Sequence, residues 1–208
     1  MNDPEKEIVR QGYNAIAARY LASRTGDSAD VGLLAELERR LPPGAEVLDA
    51  GCGAGVPIAK RLSETYSVTG VDFSEAQIRL ARDLVPRAKF VLQDITQLSF
   101  PADSFDAVCS YYAIIHIPRK EHSAILRNFH RILRPGGLAL LCLGANDLER
   151  DVAEDYLGSR MYWSHYDSKT NLRLLAQAGF DLIWSKTVED SSSPGSGHLF
   201  ILAQKPRT

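Results

Sequence analysis

Asp49-Ala50-Gly51-Cys52-Gly53-Ala54-Gly55 decides the fold of this chain. It follows Glu46-Val47-Leu48, which reads as a short buried strand, and runs into Pro57-Ile58-Ala59-Lys60-Arg61-Leu62, which reads as a helix start. Strand, glycine loop and helix in that order suit a nucleotide-type ligand. Missing side chains let the ligand reach the backbone, and a helix start offers N–H groups with no partner. A dinucleotide loop wants G-x-G-x-x-G. Gly51 and Gly53 supply the first two glycines, but Val56 stands at the third place and the pattern fails. The spacing is instead D-x-G-x-G-x-G, with an acid at the strand end. A carboxylate there repels phosphate at close range and suits an ammonium or sulfonium centre. A tight turn without a ligand is the plainer alternative, but three alternating glycines cost chain entropy on folding.

Beyond the loop, strands and helices alternate. Strands are predicted at 46–50, 67–71, 88–92, 105–110 and 138–143, with helices at 56–65, 74–85 and 119–133. Ser74 is the expected N-cap of the second of these helices. Regular alternation argues for an α/β fold, a parallel sheet with helices on both faces. The rhythm breaks after 143. Residues 168–178 read as a helix with Ser168 as its N-cap. Two strands at 180–188 and 198–204, joined by a turn-rich segment at 191–197, are predicted to pair as an antiparallel hairpin. Upstream of the loop, Val9, Tyr13, Ile16 and Tyr20 share one face of a helix, and Leu34, Leu37 and Leu41 mark a second, stopped at Pro42-Pro43-Gly44.

Two further anchors follow in order. Val68-Thr69-Gly70-Val71-Asp72-Phe73-Ser74 is a strand ending in an acid, 17 residues beyond Gly55. Asp72 can accept two hydrogen bonds from a ribose diol, as an acid also does for NAD, and Phe73 can pack on an adenine face. Favourable charge at a helix N-terminus is the alternative role for Asp72. Gln93-Asp94-Ile95 follows the third strand. As a set these stretches resemble the class I S-adenosylmethionine-dependent methyltransferases, D-x-G-x-G-x-G matching that family's motif I. The resemblance implies that Asp49, Gly51, Cys52, Gly53 and Gly55 face the amino-acid end of S-adenosyl-L-methionine. It sets Asp72, Phe73 and Ser74 beside the nucleoside. Beside Gln93, Asp94 would accept from the adenine amino group, with the Ile95 backbone on the ring. Phe105-Asp106-Ala107-Val108-Cys109-Ser110 resembles motif IV, ending at Ser110 beside the transferring methyl, and Arg134-Pro135-Gly136-Gly137-Leu138 resembles the turn before strand five. The match covers about residues 45–145. It implies a Rossmann-like doubly wound sheet, five parallel strands closed by the C-terminal antiparallel hairpin, under an N-terminal helical cap. The expected organisation is one domain over 1–208: a cap at 1–44, a cofactor core at 45–145, a substrate-side insertion at 146–167, and a terminal helix and hairpin at 168–208.

Composition narrows the partners. With 208 residues, 45% hydrophobic and 24% charged, the chain is long enough for one full core and is not built like a disordered segment. A net charge of −2 offers no long-range attraction to nucleic acid or anionic lipid. The apolar run 138–143 is too short to span a bilayer, and residues 1–25 hold no secretory-type apolar stretch. Cys52, Cys109 and Cys142 are scattered, so they read as small buried hydrophobes of a reducing compartment, the cytoplasm, and no metal set is expected. Oligomeric state leaves no signature.

Methyl transfer from a sulfonium is an in-line displacement with a neutral leaving group, so positioning is its main lever. No triad is therefore needed. After strand four, Tyr111 and His116 are candidates to orient an acceptor or take its proton. Packing or capping is the alternative for His116. Tyr13 and Tyr20 are candidate substrate contacts on a lid helix. Arg160-Met161-Tyr162-Trp163-Ser164-His165-Tyr166 mixes aromatics with a His, which suits a pocket wall from Tyr162 and Trp163 and a general base at His165, or else a structural plug. The expected acceptor is a small molecule, with neither nucleic acid nor membrane as partner. A macromolecular acceptor and a non-catalytic cofactor sensor are the alternatives. The N-P-P-Tyr type motif of amino-group nucleic-acid enzymes is absent; Ser110-Tyr111-Tyr112-Ala113 stands in its place.

Overall fold

The computed structural model describes residues 3–24, 26, 28–189 and 197–207. Helix α1 spans Pro4–Ser23, its first turn capped by the Asp3 carboxylate on the Glu5 N–H. A 3-10 turn at Val31–Leu34 leads into the short helix α2, Ala35–Glu38. The alternating core follows: β1 Glu46–Ala50, α3 Ile58–Leu62, β2 Ser67–Asp72, α4 Glu75–Leu84, β3 Lys89–Leu92, β4 Phe105–Ser110, α5 His122–Ile132 and β5 Leu133–Gly144. Then come β6 Leu148–Tyr156, β7 Ser159–His165, α6 Ser168–Gln177, β8 Asp181–Glu189 and β9 Gly197–Gln204.

Seven strands form one sheet in the order β3-β2-β1-β4-β5-β9-β8. The first five are parallel, while β9 runs antiparallel to both β5 and β8. This is the expected sheet of five parallel strands closed by a hairpin. The strand order reverses between β1 and β4, and the crevice outside their carboxyl ends is where such sheets bind ligands. β1 supplies Val47, Leu48 and Ala50, all fully buried because both faces of the sheet are covered. One face carries Leu34, Leu37, Ile58, Leu62 and Ile78. The other carries Ile125, Leu126, Phe129 and Ile132, the apolar stripe of α5, with Leu175 of α6. Each such side chain contributes roughly 1.5–3 kcal/mol by burial.

Residues 146–167 are more ordered than an insertion. β6 and β7 pair as an antiparallel ribbon outside the main sheet. Its inner residues Met161 and Tyr162 join Val9 and Ile16 of α1 in a third core cluster. The two elements approach so closely that a Cβ on Gly12 would stand 2.6 Å from the Arg160 carbonyl oxygen. The ribbon thus braces α1 from outside.

Several boundaries depart from the sequence expectation. Arg134-Pro135-Gly136-Gly137, expected to stop a helix, lies inside β5, because Leu133 already pairs with Phe105 and a register irregularity takes up the turn. The helix expected over 119–133 begins as a 3-10 turn at Arg119–Glu121. Asp167, not Ser168, caps α6, its carboxylate accepting from the Thr170 N–H at 2.7 Å. An ionised acceptor makes the stronger cap bond. The turn segment at 191–197 lies outside the described residues except for Gly197.

Candidate active site

The crevice at the β1–β4 switch point is a cleft of about 580 Å³, its open mouth included. The glycine loop forms its floor. Gly51 has φ +80°, and a Cβ there would overlap the Ala113 Cβ, so any side chain is excluded twice over. The Gly53 N–H donates to Asp72 Oδ2 at 3.0 Å, and the Ser74 N–H donates to Asp72 Oδ1 at 2.8 Å. Asp72 therefore ties the loop to the start of α4 at the end of β2. Burial raises its pKa to about 6, against the three backbone N–H bonds that lower it. Ser74 caps α4 as expected: it accepts from the Gln77 N–H at 3.3 Å, and its hydroxyl donates to Asn14 Oδ1 of α1 at 2.7 Å.

One end of the cleft is closed by Asp94 and Lys6. Asp94 caps the 3-10 turn Ile95–Gln97 through Oδ1 on the Thr96 N–H (2.8 Å), while Oδ2 meets Lys6 Nζ at 3.2 Å. Lys6 also donates to Thr96 Oγ1 at 2.9 Å and Glu121 Oε2 at 3.0 Å, fastening the start of α1 across this end. Gln77 is 1% exposed and lines the cleft, and neither its amide oxygen nor its amide nitrogen has a protein partner. A buried amide left open in this way can bond a polar ligand in the cleft.

A second cavity of about 410 Å³ shares Tyr20, Gly51, Gly53, Tyr111 and Tyr112 with the first and continues past the loop. Asp49 and Arg24 both line it. Asp49 Oδ2 is buried without a partner, and desolvation, then the Asp72 charge, raise its pKa to about 7. Arg24 bonds Asp30 at 3.2 Å, and its guanidinium stacks 4.9 Å from the Tyr112 ring centre. An acid with one open oxygen and a guanidinium in one recess match the two charges of an amino-acid zwitterion. Tyr112 holds φ +54°, a left-handed conformation uncommon outside glycine, at the junction of the two cavities.

Aromatic groups line the remaining wall. Tyr13 Oη lies 2.9 Å from His116 Nε2, and His116 Nδ1 lies 2.8 Å from the Tyr162 carbonyl oxygen. The carbonyl has no proton to give, so Nδ1 carries the hydrogen and Nε2 accepts from Tyr13. Burial lowers the His116 pKa to about 4, and His198 and His165 push the same way. The ring is neutral at physiological pH.

The structure sorts the remaining candidates. Gly51, Gly53, Asp72, Phe73, Asp94, Ile95, Tyr13, Tyr20, Tyr111 and His116 share the main cleft; Asp49 and Cys52 line the second cavity. Six expected site residues stand elsewhere, Ser74 in its role as the α4 cap among them, as does the side chain of Tyr162. Gly55 faces inward, where a Cβ would touch Phe90 and Val85 at 3.1 Å. The Ser110 hydroxyl is buried and donates to the Ala50 carbonyl at 2.9 Å, stitching β4 to β1. Gln93 donates to the Gln97 carbonyl and to Ser99. His165 Nδ1 bonds the Asn146 carbonyl at 2.7 Å, and the ring sits against Gly144, outside the cleft. Trp163 stands behind His116, ring centres 5.3 Å apart. The Tyr162 side chain is buried against α1, and only its carbonyl serves the site. The Tyr111 hydroxyl donates to the Asp30 carbonyl, so its ring lines the cleft but its proton is engaged.

Lys6, Gln77, Arg24 and Tyr112 escaped the sequence reading. Lys6, Tyr13 and Tyr20 recur every seven residues, and Arg24 lies four beyond Tyr20, so a helical wheel extended past the apolar face would have found two of them.

Comparison with known proteins agrees with this geometry. A family described as "Methyltransferase domain" matches residues 47–137. The chain is 40% identical over 106 residues to a 2-methyl-6-phytyl-1,4-hydroquinone methyltransferase of Synechocystis, covering 49% of this chain and 32% of that protein. It is 32% identical over 165 residues to Methyltransferase GfsG of Streptomyces halstedii, covering 73% of this chain and 58% of that one. The chain thus spans less than two thirds of the length of either relative. Among solved structures, a Burkholderia thailandensis 1,6-didemethyltoxoflavin-N1-methyltransferase superposes with a TM-score of 0.75 and 22% identity, covering 99% of this chain and 92% of that one. Residues 47–137 thus match a methyltransferase-domain family, on a fold shared with a solved methyltransferase.

Proposed function

We propose that the protein transfers a methyl group from S-adenosyl-L-methionine to a small-molecule acceptor. The convergence of the glycine loop, Asp72 and the Asp94–Ile95 turn on one cleft carries this reading, because each stands at the carboxyl end of a parallel strand. The residues fit the cofactor's parts. Asp49 and Arg24 suit the ammonium and carboxylate of its amino-acid end, Asp72 and Gln77 its ribose hydroxyls, and Asp94 with the Ile95 backbone its adenine. When bound, the cofactor supplies an electrophilic methyl group on a sulfonium. The protein's own contribution is to orient and to exclude water: α1 lies across the cleft, held by Lys6 at one end and by Asn14 on Ser74 in the middle. Holding the reactants in line accounts for roughly 7–11 kcal/mol of barrier lowering in favourable cases.

The acceptor side of the cleft, from Val9 and Tyr13 to Ala113 and Ile117, carries no formal charge. Such a wall suits a compact, uncharged molecule and offers nothing to a phosphate backbone. The two relatives and neighbours whose names state a substrate, a hydroquinone and a didemethyltoxoflavin, point the same way for those proteins. No helix among the described residues is long and apolar enough to cross a membrane. Cys52, Cys109 and Cys142 are buried and form no disulfide, which fits work in a reducing compartment such as the cytoplasm. Calorimetry with S-adenosylhomocysteine, then methyl-labelled cofactor incubated with metabolite, RNA and protein pools, tests the reading. Label in a low-molecular-weight product supports it. Label in RNA or protein moves the acceptor class, and binding without any transfer favours a sensor.

A further inference from the structure

We infer that Tyr13 and His116 form a proton relay for the acceptor, so that the methylated atom is a hydroxyl oxygen and the acceptor is an uncharged phenol, enol or alcohol. The inference rests on the methyl-transfer reading above and deepens it. Its foundation is the hydrogen-bonded line from Tyr13 Oη to His116 Nε2 (2.9 Å) and from His116 Nδ1 to the Tyr162 carbonyl (2.8 Å). The direction of this line is set. The carbonyl can only accept, so Nδ1 donates to it, Nε2 is left as an acceptor, and Tyr13 must donate its hydroxyl proton inward. Tyr20 shares a hydrogen bond with the Tyr13 hydroxyl, so one lone pair of Tyr13 Oη is left for a molecule in the cleft, which Tyr13 lines beside His116. A group presenting a lone pair to an uncharged cavity recognises a molecule that brings a proton, such as a hydroxyl compound.

The step balances. The acceptor's O–H bond breaks as its oxygen forms the new bond to the methyl carbon, and the electron pair of the carbon–sulfur bond returns to sulfur, leaving a neutral thioether. The released proton goes to Tyr13 Oη while the Tyr13 proton goes to His116 Nε2. The imidazolium so formed keeps its Nδ1–H on the Tyr162 carbonyl. The titratable groups around the pair are His165 on β7 and His198 on β9 toward the ring, and Tyr20 on α1, Tyr156 on β6 and Asp72 on β2 toward Tyr13. Burial and the two histidines disfavour the charged ring, so the proton leaves for solvent once the cleft reopens and the relay resets. Among the described residues the ring's hydrogen-bond partners are Tyr13 and the Tyr162 carbonyl, neither of them a carboxylate that would hold it charged. Trp163 packs 5.3 Å behind it and fixes its plane.

Tyr13→Phe and His116→Gln test the relay. Gln keeps an acceptor for the Tyr13 hydroxyl but cannot store a proton, so a merely structural role tolerates it. The probes are phenol, hydroquinone, and primary and secondary alcohols, with an aliphatic amine and a thiol alongside, each given methyl-labelled S-adenosylmethionine. The expected result is methyl ether formation by the wild type. In both variants kcat falls by about 10²–10⁴, with acceptor KM changed less than about threefold and affinity for S-adenosylhomocysteine unchanged by calorimetry. Ether formation by His116→Gln at the wild-type rate overturns the relay. So does methylation of only the amine or the thiol, or cofactor binding with no hydroxyl compound methylated. Failure of the wild type to bind S-adenosylhomocysteine is a different result: it removes the methyl-transfer reading itself.

Discussion

Asp72→Asn separates the cost of the site from its use. In the free protein the Asp72 carboxylate accepts from Gly53 and Ser74 N–H groups at 3.0 and 2.8 Å, yet burial still lifts its pKa from 3.8 to about 6. That rise corresponds to about 3 kcal/mol of destabilisation carried at neutral pH. Asn removes the charge and this burden. It also sets its NH₂ against one of the two backbone donors, losing a charge-assisted bond worth about 1.5–3 kcal/mol. The two effects nearly cancel, so the variant should unfold within about 2 kcal/mol of wild type by urea titration. Ligand binding has no such compensation. An acceptor for the ribose hydroxyls is lost, and S-adenosylhomocysteine affinity should fall by about 1–3 kcal/mol, or five- to 150-fold, by calorimetry. Equal affinity in a folded variant refutes the assignment of Asp72 to the ligand.

Gln77→Met should stabilise the free protein by about 1–2 kcal/mol in denaturant titration, because a buried amide without partners is replaced by a group that needs none, and should weaken S-adenosylhomocysteine binding at least threefold. Lys6→Met strips the cation shared by Asp94 and Glu121 and should lower stability by about 1–3 kcal/mol, with faster amide exchange confined to the start of α1. Affinity for S-adenosylhomocysteine should depend on pH with a fixed sign. Asp72 is protonated in the free protein below about 6 and must ionise to accept from a ribose, so binding releases a proton and weakens by about tenfold between pH 7 and pH 5. Calorimetry in buffers of different ionisation enthalpy measures that proton, and a flat profile with no release contradicts the assignment. In the free protein the same raised pKa removes stability as pH climbs from about 4 to 6, after which the loss is constant.

The cofactor half of the site was legible because its signals are local. A glycine loop between a strand and a helix, and acids at two strand ends, each occupy a few consecutive residues. What escaped depends on distant parts of the chain. Gln77 reads as an ordinary helix residue until the loop folds against it. β6 hid as a strand because Leu148–Tyr156 carries five charges and buries little, so no apolar alternation marks it. The start of β5 hid behind a proline and two glycines, which read as a stop until Leu133 finds Phe105. The aromatic cluster at 161–166 admits two roles by composition, a pocket wall or a structural plug, and its packing is closer to the second. Its rings brace α1 and His116, and its contribution to the cleft is a main-chain oxygen.

That oxygen gives the β6–β7 ribbon an influence out of proportion to its position. The Tyr162 carbonyl dictates the tautomer of a histidine 46 positions earlier in the chain. Exchange of the ribbon for one of another length, with every cleft-lining side chain kept, would turn the imidazole over or set it free. Acceptor chemistry can therefore diverge through an appendage while the nucleoside seat stays untouched.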